Sequence, residues 1–130
     1  QMAMQKNLLD RAALRQFEKL FNQLGNIFPL EPPALLHGDL WNGNFMCAKE
    51  DQPVLFDPAV YFGHRSMDLG MTTLFGGFHK SFYEAYEHHY PFPAEHARQW
   101  EVCNLYPLLV HLNLFGATYL PGIISTISRY

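Results

Sequence analysis

The residues with chemistry to offer gather in Leu36-His37-Gly38-Asp39-Leu40-Trp41-Asn42-Gly43-Asn44-Phe45, followed by Leu55-Phe56-Asp57-Pro58. Asp39 precedes Asn44 by five positions, and a second carboxylate, Asp57, closes an apolar run. A phosphoryl-transfer site has these needs. The reaction leaves the protein little covalent work and asks for positioning, charge neutralisation and one acceptor for the proton of the incoming hydroxyl. Asp39 is the candidate base. Asn44 and Asp57 offer hard oxygen donors for a Mg²⁺ ion bridging the phosphates of ATP. The competing reading is a polar loop in which His37 and Asp39 merely cap backbone amides.

The elements that must position these residues are short. Ala34-Leu35-Leu36 reads as a strand leading into the loop. Phe45-Met46-Cys47 and Pro53-Val54-Leu55-Phe56 read as two strands, with Ala48-Lys49-Glu50-Asp51-Gln52 as the polar turn between them. This hairpin carries Asn44 at its entrance and Asp57 at its exit. Residues 58–65 take the place of an activation segment, but offer no Ser or Thr before Ser66. Position 38, where protein kinases usually carry an Arg that receives a phosphorylated loop, is Gly. Both features argue against a kinase switched by phosphorylation. Ser66 is expected to cap a helix over 67–75 that Gly76-Gly77 ends, with Asp68 in its first turn. Arg65 either pairs with a carboxylate or is solvated.

Around this centre the pattern is helical. Residues 1–24 are expected to form one helix, with Ala13, Phe17, Leu20, Phe21 and Leu24 on its apolar face and Gly25 as its stop. Residues 26–33 form a loop. Residues 78–90 form a second helix that Pro91 and Pro93 end. Residues 94–120 form a third, which Pro107 should kink or divide; from Leu105 to Phe115 it is nearly apolar all round and should be buried. Within it, His111 and Asn113 read either as a hydrogen-bonded core pair or, for His111, as a contact in an acceptor pocket. A last short helix covers 122–130. Adjacent His88-His89 point to different helix faces, which disfavours a metal site.

Composition sets limits. The chain has 130 residues, 48% of them hydrophobic, enough for a core and for one domain by length. Net charge is −3 with no basic run, so nucleic acid and anionic membranes are poor partners. The two cysteines, Cys47 and Cys103, make neither a disulfide framework nor a zinc site and suit a reducing cytoplasm. No charged-then-apolar leader opens the chain, and the most apolar run is too short and polar to span a bilayer.

The longer text is more specific. Leu36 to Asn44, Phe56 to Leu69 and Leu74-Phe75-Gly76-Gly77-Phe78, with Phe82 to Tyr86 and His111 to Gly116, resembles the fructosamine kinase (ketosamine 3-kinase) family. Those enzymes are small-molecule kinases of the aminoglycoside-phosphotransferase and choline-kinase type. The resemblance implies an α+β, protein-kinase-like C-terminal lobe, mostly helical with a small β-hairpin at the catalytic loop. It implies ATP-dependent phosphorylation of the 3-hydroxyl of a fructosamine or ribulosamine, free or on a glycated amine or protein. It also implies that His37 and Asp68 support the loop, Asp68 by accepting bonds from its backbone. Trp41, two residues past the candidate base, reads either as a core anchor or as a flat aromatic wall of the acceptor pocket. The loop must open to solvent for the acceptor to reach Asp39, so the latter is the expectation.

A kinase of this kind needs a phosphate-covering loop and a strand lysine. Before Asp39 there is no Gly-rich loop, and the only lysines are Lys6 and Lys19 in the helical stretch. The chain is therefore expected to be a C-terminal lobe whose N-terminal, nucleotide-clamping lobe is absent. On its own it should be inactive, and prone to self-association through the surface that lobe would cover. Two rival readings stay open: another hydroxyl kinase, acting on choline, an aminoglycoside or homoserine, or a non-catalytic kinase-like module.

Overall fold

The computed structural model describes residues 2–130. The chain divides into two compact units, one formed by residues up to Leu30 with Asn104–Tyr130, the other by Glu31–Cys103.

The first unit is helical. Where one long helix is expected, the chain makes α1 (Met2–Gln5), α2 (Arg11–Phe21) and α3 (Leu24–Ile27); Gln1 lies outside the described residues. Local chemistry explains the division. Asn7 takes a left-handed φ of 55°, a conformation that ends helices. Asp10 then restarts one, its carboxylate accepting from Ala13 N at 2.7 Å. Gly25 sits inside α3 rather than stopping a helix, and of the expected face Ala13, Phe17 and Leu20 are buried while Phe21 is exposed. Helix α7 (Leu105–Phe115) packs against α1 and against α8 (Leu120–Ile127). Leu112, Ile123 and Ile127 are almost wholly buried there.

Two expectations fail in this unit. The third long helix does divide, but at Asn104, between α6 (His96–Cys103) and α7. Pro107 falls in the first turn of α7, where a missing N–H costs nothing. Nor is α7 buried all round: Leu105, Pro107 and Leu112 are buried, whereas Tyr106, Leu114 and Phe115 are about two-thirds exposed. Apolar composition attracts neighbours without dictating which side they take. His111 and Asn113 do not pair with each other. The ring Nδ1 of His111 lies 2.8 Å from Pro107 O, and Asn113 Nδ2 donates to Leu109 O at 2.7 Å, so each bonds a carbonyl one turn back.

The second unit carries the strands. β2 (Phe45–Cys47) and β3 (Pro53–Leu55) form the expected antiparallel hairpin, Phe45 opposite Leu55 and Cys47 opposite Pro53. β1 (Ala34–Leu36) pairs antiparallel with β4 (Tyr61–Gly63), Leu36 opposite Tyr61. β4 lies where the sequence suggested an activation segment, so the stretch after Asp57 is tied down as a strand. α4 (Ser66–Met71) packs on α6, with Leu69, Val102 and Cys103 buried. Ser66 does not cap α4: its hydroxyl donates to Gln99 Oε1 at 2.9 Å inside the unit, and its own N–H is met by His64 Nδ1 at 3.2 Å. α5 (Lys80–His89) ends before Pro91 and Pro93 as expected.

Arg65 is paired rather than solvated. Its Nε and one terminal nitrogen donate to the two carboxylate oxygens of Glu31 at 3.0 and 3.3 Å, and further bonds reach Tyr90 O and Pro91 O. The guanidinium also lies 4.2 Å from the Tyr90 ring centroid. Burial alone would lower its proton affinity, but hydrogen bonds involving Glu31 and Tyr86 reverse this and raise its pKa. The loop before β1, the start of α4 and the end of α5 are thus joined at one side chain.

Candidate active site

The site is built on the loop that leaves β1. Its first fixed point is Asp68, in the first turn of α4. The carboxylate accepts from His37 N at 2.7 Å through Oδ2 and from Gly38 N at 2.9 Å through Oδ1. A charged acceptor bonded to two successive amides holds the loop entrance more firmly than neutral partners would. Across the loop, Ala59 N donates to His37 O at 2.8 Å, extending the β1–β4 pairing to the residues beside Asp57.

Gly38 sits where two backbones cross. Its φ is +82°, and a Cβ there would lie 2.1 Å from Ala59 O. Only glycine meets both conditions.

His37 ties the Asp39 backbone to the strand end that precedes Asp57. Asp39 N donates to its Nδ1 at 3.3 Å, so the ring proton sits on Nε2, which lies 3.0 Å from Phe56 O. One ring therefore sets the Asp39 backbone against the residue just before Asp57.

Asn44 lies in the 3₁₀ turn Asn42–Asn44 and is buried. Its Nδ2 donates to Asp39 O and to Asp39 Oδ2, both at 2.9 Å. Asp39 Oδ1 has no hydrogen-bond partner among the described residues and is the oxygen left to accept a proton. The same arrangement spends the amide nitrogen of Asn44 on Asp39 and leaves Oδ1 of Asn44 as its uncommitted acceptor. Phe56 N donates to Asn44 O at 3.1 Å, which brings the following residue, Asp57, beside Asn44. Asp57 is exposed, and its carboxylate has no partner among the described residues. Its φ of +52° re-aims the chain between Phe56 and Pro58. An amide oxygen and an unpaired carboxylate suit Mg²⁺, which takes few protein oxygens and fills its shell with phosphates and water.

Trp41 is half-buried. Its ring meets Phe75 edge-on, with centroids 5.9 Å apart and planes at 88°. The indole also lies over Gly43, where a Cβ would meet ring carbons at 2.3 Å. His111 belongs to the other unit, and its ring packs on Phe115 and Tyr119. Sequence alone does not show Glu31 as the partner of Arg65 or Phe75 as the partner of Trp41. Glu31, beside Pro32-Pro33, carried no signal; the Phe75-Gly76-Gly77-Phe78 stretch did, as an aromatic-flanked glycine pair.

A family model for fructosamine kinase matches residues 1–130. A "Probable ketoamine kinase" of Staphylococcus aureus is 39% identical over 128 residues, covering 95% of this chain and 44% of the relative. Protein-ribulosamine 3-kinase of Arabidopsis thaliana is 44% identical over 98 residues, 75% of this chain and 30% of the relative. A crystal structure from Thermobifida fusca named for fructosamine-3-kinase superposes with a TM-score of 0.88 at 36% identity, covering 98% of this chain and 44% of that one. The chain thus spans less than half the length of each of these relatives, and it has the protein-kinase-like fold of the solved one. With the family match running the whole length of the chain, this protein belongs to the fructosamine kinase family.

Proposed function

We propose that the intact protein transfers the γ-phosphoryl group of ATP to a hydroxyl of a ketoamine sugar, a fructosamine or ribulosamine, and that this chain supplies its C-terminal, catalytic-loop lobe. The observation that carries the reading is the double bond from Asn44 to Asp39 on a loop anchored by Asp68. In this reading Asp39 Oδ1 takes the proton of the sugar hydroxyl as its oxygen attacks phosphorus. The hydrogen bond from Asn44 occupies the other oxygen and orients the carboxylate. Asn44 Oδ1 and Asp57 would hold Mg²⁺, which supplies charge neutralisation at the phosphates when bound. Asp68 and His37 hold the loop in register. Trp41 walls the acceptor pocket.

Nucleotide clamping falls to residues outside this chain, so the isolated chain should turn over negligibly and self-associate through its exposed apolar surface. No helix among the described residues is long and apolar enough to cross a membrane; a cytoplasmic location is part of the proposal. The test is a screen of the full-length protein for ATP-dependent phosphorylation of ketoamine sugars against choline and aminoglycosides. Preference for ketoamines supports the reading. Preference for choline or an aminoglycoside would reassign the acceptor, and no turnover with any would favour a non-catalytic module.

A further inference from the structure

The stretch Leu74-Phe75-Gly76-Gly77-Phe78 has no part in the chemistry above, yet it holds the longest run of left-handed backbone among the described residues. Phe75, Gly76 and Gly77 take φ values of +52°, +104° and +67° in succession. Glycine does this freely, but an aromatic residue in the left-handed region is uncommon and costs free energy. Such an outlier persists only when its surroundings enforce it, and it points from structure towards function.

The surroundings here are the catalytic loop. Phe78 N donates to Thr72 O at 2.9 Å, closing the intervening residues into a compact loop. From that loop Phe75 presents its ring to Trp41, and Phe78 packs on Phe45 with centroids 5.6 Å apart. Trp41 and Phe45 are the residues immediately before and after the turn Asn42–Asn44. The loop therefore braces the turn that carries Asn44 from both sides. Phe78 is itself fixed by an edge contact with Phe82 of α5 at 5.0 Å.

The two braces differ in consequence. Phe45 begins β2 and is held by the hairpin in any case. Among the described residues the indole of Trp41 has no hydrogen bond, and its orientation rests on Gly43 beneath it and Phe75 against it. If Phe75 took an ordinary φ, its ring would leave that position. We propose that Phe75 is the specificity-determining positioning residue of the acceptor site: its left-handed backbone aims the ring that fixes the indole of Trp41, and thereby sets how well the acceptor binds. The proposal rests on the reading of Trp41 as an acceptor-pocket wall.

Full-length protein labelled with fluorotryptophan provides the test, the Trp41 resonance being the one lost in Trp41→Phe. Phe75→Asn suits the left-handed backbone but lacks the ring; Phe75→Tyr keeps the ring edge. In Phe75→Asn the Trp41 resonance should shift or broaden. The KM for the acceptor found in the screen should rise about three- to tenfold, as expected from losing one aromatic pair, with the KM for ATP within about twofold. Phe75→Tyr should restore both readouts. Should Phe75→Asn fail to fold, Phe75→Leu carries the same two measurements. An unmoved Trp41 resonance overturns the positioning role, and a moved resonance with unchanged acceptor KM overturns the specificity role. The resonance needs no turnover, and the KM is read on whichever acceptor the screen returns, so a wrong substrate class and a wrong role for Phe75 give different results.

Discussion

The side-chain amide of Asn44 holds Asp39 at two points, its backbone carbonyl and its carboxylate, each at 2.9 Å. The proposed base and the proposed metal ligand are therefore not independent parts, and a change at Asn44 should have two effects at once.

In the intact enzyme, Asp39→Asn should keep the loop in place, because an amide oxygen can still accept from Asn44. It removes the proton acceptor, which should lower kcat by about 10²–10⁴-fold. Steady-state kinetics check this, and turnover within threefold of wild type would remove Asp39 from the mechanism.

Asp57→Ala should raise the Mg²⁺ concentration for half-maximal activity by about tenfold or more. Asp57→Asn, which tolerates the left-handed backbone, separates lost charge from lost conformation. Asn44→Ala should weaken Mg²⁺ dependence less but also lower kcat at saturating metal, because Asp39 loses its steering bond. Unchanged Mg²⁺ titrations in both alanine variants would refute the metal assignment.

Asp68→Ala leaves the amides of His37 and Gly38 without their acceptor. Lost bonds to a charged group in a part-buried place should cost about 2–4 kcal/mol in denaturant unfolding, with activity falling in parallel. Asp68→Asn retains an acceptor oxygen and should recover part of both.

Burial pushes the Cys103 thiol up to about 12, from an ordinary value near 9.0. Cys47 is exposed. Iodoacetamide at pH 8 should modify Cys47 in the native protein and reach Cys103 only on unfolding. The linkage follows in sign: with the folded pKa raised, the contribution is complete below about pH 9 and lost as pH climbs towards 12. Stability should fall more steeply over that window in wild type than in Cys103→Ala. Native labelling of both thiols at similar rates would contradict the buried state.

The β2–β3 hairpin was readable because its signals are local. A polar turn between two short apolar runs fixes β2 and β3, and so where Asn44 and Asp57 stand. What escaped depends on partners distant in sequence. β4 needs β1 to become a strand. Ser66 looks like a helix cap until Gln99 offers its side-chain oxygen, 33 residues away. The break at Asn7 was missed for another reason: the apolar period of the first helix runs through it, and a left-handed Asn leaves no mark on that period. Only the resemblance proposed Asp68 as an acceptor for the loop backbone, since spacing alone allowed a simple helix-terminus carboxylate.

The crossing of Gly38 under Ala59 limits what this loop could become. Phosphorylation-governed kinases use an arginine at this position, and here the nearest obstacle is a backbone carbonyl, which cannot turn aside as a side chain could. A descendant seeking that kind of control would first have to rebuild the strand crossing that follows Asp57. In evolutionary terms the site is fenced by its own main chain, and no single codon change opens the gate.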